Sequence, residues 1–236
     1  MTSTTTHAAL WRGIAAVAAT LLAACATSVP PALKEGAADT VPVDNGVALL
    51  GVTLVNTFRV SPLIAPIETV GVFIDGPQGH PEPHGRLVNV EKPLSRTTAD
   101  GRQIEEQTVT IGLPPGKYRL RCVQTTVARV GWGCAPVFAD FEIVAGHVAY
   151  LGHLDVLRRE RKADSETPAG ASLPFFDQWY SGYSTGTFEV AIRDAADVDL
   201  PRFRSRYPAL KADTVIGSAV LPPWRRPTAA EAAELP

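Results

Sequence analysis

The sequence predicts an all-β body, an antiparallel β-sandwich with one short helix. Three observations carry that expectation. Seven or more short runs alternate apolar and polar residues, tight-turn chemistry separates them, and 19 Gly and 20 Pro in 236 residues favour turn-rich β structure over long helices. An apolar fraction of 45% with only three Cys excludes a disordered chain and a disulfide-dense mini-protein. The 22 Lys+Arg against 24 Asp+Glu give a net charge of −2, so no basic footprint points to nucleic acid. The length allows one domain, or at most two small ones.

The first element is a leader. Residues 13–24 form twelve uncharged positions behind Arg12. A membrane-spanning helix needs about 20 apolar residues, whereas this run has the length of a signal-peptide apolar region. Leu22-Ala23-Ala24-Cys25 closes it and resembles the lipobox of bacterial lipoproteins. That resemblance implies cleavage after residue 24 and acylation of Cys25 on sulfur and α-amine by palmitate-like chains. The membrane would then be a partner through those chains. Each buried methylene adds about 0.8 kcal/mol, so several chains hold far more firmly than one. Ala26-Thr27-Ser28 after Cys25, with no Asp there, looks like the outer-membrane default of enterobacterial lipoproteins. The expected location is the outer membrane, facing the periplasm, with the inner membrane or the cell surface as alternatives.

Loss of residues 1–24 removes Arg12 and no acid, leaving a net charge of −3. With Cys25 acylated, Cys122 and Cys134 remain. An even count in an oxidising compartment suggests a disulfide; separate thiols and a chemical role are the alternatives, the last lacking a C-x-x-C or a nearby His.

Residues 25–46 lack aromatics and periodicity and read as a flexible tether reaching about 25 Å. Strand signals follow at Gly46–Val55, Thr69–Ile74, Leu87–Val90 and Gln107–Ile111. Leu113-Pro114-Pro115-Gly116 supplies a tight turn. In the next run Tyr118, Leu120 and Cys122 share one face, which places Cys122 toward the core. Val137–Val144 and Val148–Val156 continue, joined by Ala145-Gly146; alternation puts Val148, Tyr150, Leu154 and Val156 inward and His147, His153 and Asp155 outward. Phe188, Val190 and Ile192 alternate again. Asp199-Leu200-Pro201 reads as a helix start, Phe203 and Tyr207 fall on one face, and Pro208 ends it. Thr214–Val220 is a last strand candidate. The sandwich thus spans 47–220, and 221–236 reads as a disordered tail. The segments Leu113–Leu120, Phe141–Gly146 and Tyr150–Gly152 resemble uncharacterised bacterial lipoproteins with an immunoglobulin-like or transthyretin-like sandwich.

No G-x-S-x-G elbow, P-loop, H-E-x-x-H or dinucleotide fingerprint is expected, and neither a metal nor a cofactor is expected. His80, Glu82 and His84 lie in a Pro-held stretch without a fourth ligand. Arg158, Arg159, Arg161 and Lys162, broken by Glu160 and followed by Asp164 and Glu166, read as a solvated loop. Phe175, Phe176, Trp179, Tyr180 and Tyr183 gather five aromatics in nine residues. They suit a platform for glycan, peptidoglycan or an envelope protein, or else rings folded over one end of the body. The functional expectation is a non-enzymatic, lipid-anchored interaction or structural module, with a carbohydrate- or peptidoglycan-binding lipoprotein as the alternative. A hydrolase with dispersed residues would leave no local motif.

Overall fold

The computed structural model describes residues 27–38, 44–58, 66–77, 85–127, 131–170 and 184–235. Among them eleven strands form two mixed sheets. Sheet A runs β1 (Thr27–Val29), β4 (Arg86–Asn89), β3 (Ile67–Asp75), β7 (Gly116–Val127) and β8 (Gly131–Ile143). Sheet B runs β10 (Gly186–Arg193), β9 (Val148–Glu160), β2 (Gly46–Asn56), β6 (Arg102–Leu113) and β5 (Ser95–Ala99), with β11 (Ile216–Ser218) beside β9. Two helices complete the order, α1 (Ala196–Arg206) between β10 and β11 and α2 (Ala229–Ala233) after β11.

The expected strands are present, and the pairing is not purely antiparallel. The central pair β2/β9 is parallel, as are β1/β4 and β11/β9. Leu50, Val52 and Leu54 of β2 meet Val72, Ile74, Leu120 and Val123 of sheet A in one buried cluster between the sheets. A second cluster lies on the outer face of sheet B. There Val47, Leu49, Val148 and Tyr150 pack beneath Phe203 and Tyr207 of α1 and its exit, with Leu33 beside them. Sheet B is therefore buried on both faces, which accounts for the unbroken apolar run Val47–Leu50.

A bulge in β9 divides these two layers. Leu49 pairs with Tyr150 and Gly51 with His153, so Leu50 alone faces Leu151 and Gly152. Gly152 has φ +103°, a conformation that favours glycine. The extra residue reverses the alternation. Leu154 and Val156 face the inter-sheet core as expected, whereas Val148 and Tyr150 face α1. His153 is on the outer face as expected, but it is only 3% exposed because α1 covers it.

The polar side of β6 is also buried. Gln103 accepts from the Ile67 N–H at 3.0 Å and donates to the Ile67 carbonyl, and Glu105 accepts from the Thr69 N–H at 2.8 Å. Along β3, β4 pairs only with Gly71–Ile74, so these side chains take the place of a missing strand beside the start of β3.

Both ends of the chain differ from expectation. In the segment read as a tether, Thr27–Val29 joins sheet A, the Ala32 N–H donates to the Thr110 carbonyl and Leu33 is 1% exposed. The segment read as a disordered tail is docked. Leu221 is buried, Trp224 donates to the Pro136 carbonyl at 2.8 Å, and Thr228 with Glu231 forms a capping box that starts α2. Helix α1 begins at Ala196, earlier than the Asp199 start read from sequence, so Pro201 lies inside it. β9 continues to Glu160 and takes up Arg158 and Arg159, which are therefore not loop residues.

Candidate functional site

Cys25 and the aromatics Phe175, Phe176, Trp179, Tyr180 and Tyr183 lie outside the described residues, as do His80, Glu82 and His84. Cys122 and Cys134 are joined as a disulfide with Cα atoms 5.6 Å apart, an ordinary span for that bond. Its position differs from the expected one. Arg121 is an extra residue between the Phe73–Cys122 and Ile74–Leu120 pairs, and this bulge turns Cys122 to the outer face of sheet A. There the disulfide packs with Phe73 and is covered by Leu87 and by Leu235 just beyond α2.

One polar constellation assembles that sequence reading did not join. Asp199, in the first turn of α1, receives the Tyr150 hydroxyl at 2.7 Å and stands 2.8 Å from His153 Nδ1, both on Oδ2. A carboxylate only accepts, so Nδ1 carries the proton. The opposite ring nitrogen, Nε2, is 2.8 Å from Thr53 Oγ1. Tyr150 and His153 meet on one face because the Gly152 bulge separates them. Gly51 leaves the space, since a Cβ there would sit 2.3 Å from Asp199 Oδ2 and 2.4 Å from His153 Nδ1.

Electrostatics favour a charged Asp199. Burial works to raise its carboxyl pKa, but hydrogen bonds from His153 and Tyr150, helped by the charge of Arg202, outweigh burial and hold it below the usual range. Burial pushes the Tyr150 phenol up, and the Asp199 carboxylate adds to that rise. Two ion pairs flank Thr53 on the neighbouring strands, Arg193–Asp155 at 2.6 Å and Arg202–Glu106 at 3.2 Å. Farther along α1, Arg206 donates to Thr108 and Glu35, and Tyr207 shares a 3.0 Å hydrogen bond with Thr108. Burial pushes the Tyr207 phenol up to about 12.

The order Thr53–His153–Asp199 has the connectivity of a nucleophile relay. Its surroundings suit a different task. Thr53 lies inside β2, paired with Glu106 of β6 on one side and Asp155 of β9 on the other. The backbone around it is committed to those two ladders, whereas an oxyanion site needs N–H groups aimed at a substrate. The quartet therefore pins α1 to sheet B at one end, and the Arg206 and Tyr207 contacts pin the other.

The expectation of no G-x-S-x-G is corrected by the sequence itself, which holds one such pentapeptide, Gly182-Tyr183-Ser184-Thr185-Gly186. In a hydrolase that pattern sits between a strand and a helix. Here Ser184 leads directly into β10, and its carbonyl accepts from Arg161 at 3.4 Å. Arg158 and Arg159 are engaged as well. Arg158 is buried with its guanidinium 4.9 Å from the centre of the Phe58 ring, and Arg159 binds Glu166 and Glu189.

Among the described residues no helix is long and apolar enough to cross a membrane, and no group of three or more His, Cys, Asp or Glu could hold a metal ion. Comparison with known protein families, curated proteins and solved structures finds no match.

Only one sequence signal pointed toward the quartet, an isolated Gly152 in a strand pattern, which marks a bulge. Asp199 was read as a helix start, and nothing local linked it to a strand 46 positions earlier.

Proposed function

We propose that this chain is a lipid-anchored cell-envelope lipoprotein whose β-rich body is a non-enzymatic interaction or structural module. The single observation that carries the proposal is the Leu22-Ala23-Ala24-Cys25 sequence behind twelve uncharged residues. Cleavage there makes Cys25 the first residue, and its acyl chains hold the body at the outer membrane, facing the periplasm. The Cys122–Cys134 disulfide accords with an oxidising compartment. A body of two packed sheets accords with an immunoglobulin-like or transthyretin-like sandwich, here with a parallel central pair.

Labelled palmitate tests the anchor. Incorporation into the native chain and its loss in Cys25→Ala, with release of the variant into the soluble periplasmic fraction, is the expected result. An intact leader on the cell-derived protein overturns it. A second reading, glycan or peptidoglycan binding, draws on one observation, the five aromatics between Phe175 and Tyr183.

A further inference from the structure

The chain leaves almost no slack between the acylated cysteine and the folded body. Thr27 already pairs with Arg86 in the parallel β1/β4 ladder, followed by Ser28 with Leu87 and Val29 with Val88. The Asn89 amide donates to Ser28 Oγ at 2.6 Å, the Leu33 N–H donates to Thr110 Oγ1 at 3.1 Å, and the Gly36 N–H donates to the Arg206 carbonyl. A single residue, Ala26, separates Cys25 from this stitched segment. Two residue steps span at most about 7 Å, comparable to the interfacial layer of one leaflet, about 5–7 Å from the difference between total and hydrocarbon thickness.

We infer that the body sits directly on the surface of the membrane that holds its acyl chains, with the Thr27 end of the two sheets turned toward the lipid headgroups. This rests on the reading that Cys25 is acylated. The orientation follows from the ladders. Thr27 lies level with Arg86 and Ile74, so that end of sheet A is formed by the start of β4, the end of β3, the start of β7 and the end of β8. The Leu113–Gly116 turn and the Val144–His147 turn connect the same end to sheet B, and β11 begins there opposite Val148.

The surface of this end suits contact with lipid. Five large hydrophobic side chains are exposed among the described residues, and two of them, Val144 at 49% and Val215 at 85%, belong here. They border one groove of about 640 Å³, with Val47 and Ile143 on its wall and Lys211 and His147 at its edge. Charge is nearly balanced, because Arg119 pairs with Asp140 at 2.7 Å and Lys117 lies opposite Glu142 in the β7/β8 ladder. The contact therefore comes from covalent proximity and apolar turns rather than from a basic patch. The opposite end carries exposed Trp132 and the β5–β6 hairpin. It also carries Gly170, bridged to Gly133, and Ser184, the residues at which the aromatic-rich stretch leaves and rejoins the described chain. That end points away from the lipid.

Amide hydrogen exchange on the full acylated protein, purified from membranes and reconstituted into phosphatidylethanolamine–phosphatidylglycerol vesicles, tests the orientation. Mass spectrometry of Cys25 is run on the same sample. Exchange in the Val144–His147 turn and at residues 211–216 is expected to slow several-fold relative to soluble Cys25→Ala, with the Ala99–Arg102 hairpin unchanged. Inserting a Gly/Ser spacer of about 20 residues, with a coil reach near 25 Å, between Ala26 and Thr27 is expected to restore the soluble rates while acylation persists. Unchanged exchange at the Thr27 end with Cys25 acylated, or slowing at the Trp132 end instead, overturns the seating and leaves the anchor standing. An unacylated Cys25 overturns both.

Discussion

Asp199→Ala withdraws the acceptor of two buried donors at once. The Tyr150 hydroxyl and the His153 Nδ1–H both end on Asp199 Oδ2, at 2.7 and 2.8 Å, and Asp199 is itself 3% exposed. Each orphaned buried donor costs about 1–3 kcal/mol, so the loss should be about 2–6 kcal/mol. In a body of this size that lowers the melting temperature by roughly 4–24 °C. The assay is urea and thermal unfolding of the soluble Cys25→Ala protein with and without Asp199→Ala. Tyr150→Phe removes one of the two donors, so the double variant Tyr150→Phe/Asp199→Ala should be more stable than additive single losses imply, by about 1 kcal/mol or more. Acid gives an independent reading. The carboxyl pKa of Asp199 is lower folded than unfolded, so the unfolded chain takes up the proton first. Its contribution is full above about pH 4, the unfolded value for Asp, and is lost as pH falls through the lower folded value; Asp199→Ala should flatten that acid limb. A loss below about 0.5 kcal/mol, the range of ordinary surface substitutions, or strict additivity with Tyr150→Phe would refute the picture of α1 pinned by this quartet.

Gly152→Ala should destabilise the body by about 1–2 kcal/mol, because φ +103° is costly for a residue with a Cβ and that Cβ would press the Arg193 carbonyl and Val220 at 3.1 Å; an unchanged urea midpoint would remove the strain argument. Reduction, or Cys122→Ser with Cys134→Ser, should cost roughly 3 kcal/mol for a closed loop this short. The oxidised mature protein, its Cys25 sulfur held as a thioether, should show no titratable thiol, and two would contradict the bond.

The strands were legible wherever local chemistry decides structure. Leu113-Pro114-Pro115-Gly116 and Ala145-Gly146 mark turns, and the runs they separate are strands. Facing was harder to read because it counts residues, and the bulges at Gly152 and Arg121 each upset the count. Gln103 and Glu105 lie before the strand signal at Gln107–Ile111, and their amide and carboxylate serve the backbone of a strand 36 positions away, a long-range partnership with no sequence signature. Arg158 was taken for a loop residue because its charge outweighed the pattern, whereas the structure buries it at the end of β9. The α2 capping box was readable in principle from Thr228 and Glu231, but the Ala-rich composition around it suggested fraying. The quartet at Asp199 draws on β2, β9 and α1, so it could not be seen before those elements were placed.

The odd residue at Gly152 makes β9 a strand governed by parity. Upstream of it, even-numbered side chains belong to the helix layer, and downstream they belong to the space between the sheets. Deleting one residue on the upstream side would exchange Val148 and Tyr150 for their small or inward-facing neighbours beneath α1, while deleting two would keep the remaining side chains on their own faces but remove Val148 or Tyr150 from under the helix. Changes in β9 that arrive in pairs thus preserve the facing of the strand, and single ones invert it.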